Sequence, residues 1–193
     1  MDSLVHKIER LRLRYKNHEG RHFLPETPLH DLMTESAVRA TLQSLATQSY
    51  HLEELVKDIL SGGWKVFAIL LLIGQADAIT LFFKHKFPQI AYVDHRLPYS
   101  KEMLEEIFED RADDLAISKF LEIQWGIAIQ FFSSRLLPRK LASETILPFV
   151  TEDCLGPGGL GTVWKTELDS ACHSLPIVSN KVCWPLSFPL LGD

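Results

Sequence analysis

Leu52 to Gly74 reads LEELVKDILSGGWKVFAILLLIG. Leu52, Leu55, Val56, Ile59 and Leu60 recur at three- and four-residue spacings, the period of an amphipathic helix. Gly62 and Gly63 stop that helix, because glycine accepts the left-handed conformation past a helix end. From Val66 to Ile73 eight residues in a row are apolar, with Lys65 before them and Gln75 and Asp77 behind. A spanning helix needs roughly 20 apolar residues. The run is therefore a core helix, not a membrane span, and the fold should be helical around it.

The same period continues on both sides. Leu4, Ile8, Leu11 and Tyr15 form one helix face over residues 2–16, with Asp2 or Ser3 as cap and a basic opposite face of Lys7, Arg10, Arg14 and Lys16. Such a face can meet acidic partners or membrane surfaces, but is more often simply solvated. Residues 23–33 read as a connection with Pro25 and Pro28, and a helix restarts at Thr34, with Val38, Leu42 and Leu45 inward. Beyond the core run, Ala76–Lys86 continues as a helix, Ser100 caps another, and Leu115–Leu137 reads as a long one ended by Pro138.

The texture then changes. Ile146–Val150 starts a strand, Leu155–Gly161 is a glycine cluster, and Thr162–Thr166 reads as a second strand. The last residues have no period. The expected fold class is mainly α: a multi-helix domain, then a short β-hairpin and an irregular tail. The divisions fall at 1–22 (basic amphipathic helix), 23–145 (helical domain), 146–176 (hairpin) and 177–193 (tail).

Composition narrows the function. Among 193 residues, 46% are hydrophobic and 23% charged, enough for a core, and the net charge of −5 gives no reason to expect nucleic acid. Cys154, Cys172 and Cys183 fit no zinc spacing and read as reduced thiols of a cytoplasmic protein. His18 and His22 are four apart with no third ligand nearby and read as solvent-exposed loop histidines. The acidic stretch from Glu102 to Asp114 reads as a solvated face.

The spacing that carries chemistry is Gly156-x-Gly158-x-x-Gly161-x-Val163. Phosphates need backbone N–H groups brought close, and residues without a Cβ leave that room. After a strand and before a helix, the spacing marks dinucleotide binding; between two antiparallel strands, it covers the phosphates of ATP in protein kinases. Val163 and Trp164 continue as a strand-like run, which favours the kinase type. A plain glycine-rich hairpin remains the bland alternative.

Several further pieces follow in order: Phe23-Leu24-Pro25, Met33-Thr34-Glu35, Lys65–Gly74, Gln124-Trp125, Ile146–Phe149 and Gly158–Val163. Over roughly residues 20–176 the chain resembles fungal serine/threonine protein kinase-like proteins with an N-terminal helical region. The resemblance implies that Leu155 and Val163 bracket an adenine ring, and that Gly156, Gly158, Gly159 and Gly161 lie over the phosphates. It implies ATP as a weak or vestigial ligand, with magnesium only in full-length relatives, and a protein partner for the helical domain.

The departure from the family is large. No HRD or DFG segment is present, and 45 residues run from Phe149 to Asp193, against roughly 250 for a two-lobed catalytic domain. Lys165 is not at the position of the catalytic lysine, and Lys181 after Val178-Ser179-Asn180 is a poor copy of the V-A-I-K setting. The expectation is a truncated kinase domain-containing protein, inactive as it stands, its tail translated from a retained intron. The alternative is a free-standing helical interaction module, an adaptor or decoy that binds no nucleotide.

Overall fold

The computed structural model describes residues 3–45, 52–84, 93–108, 114–129, 132, 141–158, 161–175 and 182–184. Eight α-helices among them build the body: α1 Leu4–Arg14, α2 Glu26–Leu32, α3 Glu35–Ser44, α4 Leu52–Gly62, α5 Trp64–Leu72, α6 Ile79–Lys84, α7 Lys101–Phe108 and α8 Asp114–Ile127. The chain is mainly α, as its periodicity predicts. In α5, Trp64 and every residue from Val66 to Leu71 are buried, and α1, α4 and α8 pack around it. Each large side chain so enclosed is worth about 1.5–3 kcal/mol. No described helix is long and apolar enough to cross a membrane.

Local chemistry places the helix starts. The Ser3 and Thr34 hydroxyls accept from His6 N–H and Ala37 N–H, and Ser100 accepts from Met103 N–H, each at 3.3 Å. The N-terminus of α5 has no such neighbour and is capped from afar. Asp94 accepts from the Lys65 and Val66 N–H groups at 3.0 and 2.9 Å. Burial raises its carboxyl above the usual range, against those two bonds. Two buried polar clasps join distant segments. Gln124 accepts from Tyr99 N–H at 2.8 Å and donates to the Tyr99 carbonyl at 3.0 Å. Asn17 accepts from Arg21 N–H at 2.9 Å and donates to the Leu147 carbonyl at 3.3 Å.

Three local expectations fail for physical reasons. The stretch read as a connection contains α2, with Pro28 in its first turn, where N–H groups lack intrahelical partners and proline is tolerated. Gly63 does not take the left-handed conformation; its φ is −127°. Glycine is needed there for space, since a Cβ would come within 2.5 Å of the Phe83 ring. Helix α8 ends at Ile127, ten residues before Leu137. Its end docks on the 22–24 segment: Leu24 N–H donates to the Gly126 carbonyl at 2.7 Å, and a Cβ on Gly126 would lie 2.9 Å from the His22 carbonyl oxygen.

The sheet follows the helices. Strands β1 Phe149–Gly158, β2 Gly161–Leu168 and β3 Val182–Trp184 are antiparallel in the order β1-β2-β3. The third strand falls inside the tail read as irregular; three residues before Pro185 are too few to show a period. Trp184 pairs with Trp164, Cys183 with Lys165 and Val182 with Thr166.

Candidate functional site

The glycine-rich segment is the tip of a hairpin. Asp153 pairs with Lys165, Cys154 with Trp164, Gly156 with Val163 and Gly158 with Gly161. The register shifts between Cys154 and Gly156, leaving Leu155 as the extra residue of a β-bulge. Gly156 has φ +110°, and a Cβ there would meet nothing within 4 Å. Its conformation, not crowding, calls for glycine. Gly161 opens a strand and not a helix. The dinucleotide fingerprint needs a helix at that point, so the structure removes that reading of the spacing.

Leu155, Gly156, Gly158, Gly161 and Val163 therefore stand together on the two arms of one turn, and Gly159 lies outside the described residues. Leu155 is 57% exposed, so the described residues do not close over it as an adenine pocket would. Lys165 is the one basic residue between Phe149 and Leu168. It lies 3.6 Å from Asp153 across the strand pair. Glu152 faces His18 at 3.5 Å. What the tip offers a phosphate is backbone N–H, with no described cation free beside it. Thr166 Oγ1 is buried on β2 with no hydrogen-bond partner among the described residues.

The base of the hairpin is bound into the helical body. His18 N–H donates to the Phe149 carbonyl at 2.8 Å, and Arg21 Nη2 donates to the Glu144 carbonyl at 2.7 Å. Phe132 and the 172–174 segment exchange two backbone bonds of 2.9 and 2.8 Å. Phe23, Ile146 and Cys172 are buried together beneath Tyr15, Trp125 and Ile129. Burial pushes the Cys172 thiol up to about 12, helped by Asp169.

Of the two loop histidines, His18 is solvent-exposed as expected, whereas His22 is half-buried and structural. The exposed His18 ring lies 3.5 Å from Glu152. The His22 ring meets the Arg12 and Tyr15 carbonyls at 3.2 and 3.3 Å, closing the end of α1. No group of three or more His, Cys, Asp or Glu among the described residues could hold a metal ion. No protein-family model, curated protein or solved structure matches the chain.

Proposed function

We propose that the chain is a helical protein-interaction body carrying a protein kinase-like glycine-rich lid, and that these 193 residues by themselves do not transfer phosphoryl groups. One observation carries the reading: the glycine cluster turns between antiparallel β1 and β2, and a third antiparallel strand flanks β2. Kinases use a glycine-rich loop over the phosphates and place a phosphate-binding lysine on the third strand. Here Lys181 immediately precedes β3 and lies outside the described residues. Catalysis would also need the catalytic-loop aspartate and the magnesium-binding aspartate of DFG, and the sequence has neither motif. ATP is accordingly a weak ligand of the turn.

Calorimetric titration with ATP and magnesium tests this. The expected dissociation constant is weaker than about 1 mM, with no phosphate transferred to a protein substrate. Tight magnesium-dependent binding that is lost in Gly158→Val and Gly161→Val would refute the claim of a vestigial lid. The tie between the hairpin base and the body favours a second reading, in which the hairpin is a structural arm of a helical adaptor. Under it, the same variants leave partner binding and ATP titrations unchanged.

A further inference from the structure

A cleft of about 240 Å³ opens where the ends of α1 and α8 meet residues 20–24. Arg12, Arg21 and His22 line it together with one acid, Glu122, over an apolar floor that includes Phe23, Ile127 and Ile146. The polar groups are set in place beforehand. Arg21 is fixed through the Glu144 carbonyl at 2.7 Å, and it also lies near the exposed Glu144 carboxylate. The contacts of His22 Nδ1 with two carbonyls make it the protonated nitrogen. Arg12 has no carboxylate partner among the described residues.

Helix-end carbonyls do not claim these cations. Arg12 and Tyr15 present theirs to His22, and Gly126 presents its own to Leu24 N–H at 2.7 Å. Arg12 and Arg21 line the cleft against the single lining acid, Glu122. Glu122 in the lining repels a phosphate dianion more than it repels a carboxylate monoanion. Guanidinium forks match a carboxylate in a two-pronged geometry. At ~30 Å³ per water, the space suits a ligand about the size of phenylacetate.

We infer that this cleft binds a carboxylate carried on a small apolar body, such as an arylacetate or a branched-chain acid. The site is separate from the hairpin, and its test does not depend on the kinase-like reading.

The experiment is an amide NMR titration of the full chain with sodium phenylacetate, with acetate, phenyl phosphate and 2-phenylethylamine as comparators. Saturable shifts at Leu24, Gly126 and Ile127 are expected, with acetate and phenyl phosphate weaker and the amine silent. Arg12→Met and Arg21→Met should each weaken phenylacetate about tenfold. Glu122→Gln should tighten it several-fold, a gain that misfolding cannot produce. Phenyl phosphate binding more tightly than phenylacetate, shifts confined to other residues, or Glu122→Gln without gain would each overturn the inference.

Discussion

Gly126→Ala should destabilise the protein, although alanine is the better helix former. Gly126 lies one residue before the end of α8. In an open helix the change would gain about 0.8–1 kcal/mol. Here the new methyl would sit 2.9 Å from the His22 carbonyl oxygen, closer than real Cβ contacts come. That oxygen belongs to backbone held between Tyr15 and Leu24, so it cannot swing aside as a side chain could. Overpacking of this kind costs about 1–3 kcal/mol. Separation of the two segments would also stretch the Leu24 to Gly126 bond of 2.7 Å, worth about 1 kcal/mol. The net loss is about 2 kcal/mol, which for a chain of this size lowers Tm by about 4–8 °C. Thermal unfolding followed by circular dichroism measures it, and hydrogen exchange should show faster exchange at Leu24. A Tm equal to or above that of the parent would refute the close docking of α8 on residues 22–24.

Two further outcomes follow from buried groups. Gln124→Leu should cost about 2–4 kcal/mol, because it orphans the buried N–H and carbonyl of Tyr99. Urea unfolding that gave a loss under 1 kcal/mol would mean that Tyr99 finds other partners. Iodoacetamide at pH 8 should label exposed Cys154 quickly and Cys172 only in denaturant, since burial pushes the Cys172 thiol up to about 12. Peptide mass spectrometry resolves the two sites, and equal rates in the native protein would contradict the enclosed seam.

Much of the architecture was legible because helical burial leaves a period in the chain. Leu4, Ile8 and Leu11 turned inward as their spacing predicts, as did Val38 and Leu42, and Leu55, Val56 and Ile59. The hairpin was legible because glycine clusters and strand formers mark turns and arms. Helix α2 was missed, since a proline in a first turn resembles a proline that breaks a helix. The end of α8 was missed because the apolar pattern runs on past Ile127, whereas the helix ends where it docks on residues 22–24. Of the glycine-loop residues, sequence placed Leu155, Gly156, Gly158, Gly161 and Val163 on one turn, but not the bulge that leaves Leu155 exposed. The basic cleft had no local signal, because Arg12, Arg21 and Glu122 are up to 110 positions apart in the chain.

By itself, the order of apolar and glycine residues determined that a helical body comes first, that the apolar run of its central helix is buried, and that a glycine-tipped hairpin follows. These are properties of short windows, where the period and the absence of a Cβ act directly on the backbone. Only the tertiary structure decided that Asp94 caps α5, that His22 closes α1, and that β3 joins the sheet. It alone brought two arginines and a glutamate into one cleft. Those outcomes depend on which distant surfaces meet, and the free energy of that meeting is written in no single stretch of the chain.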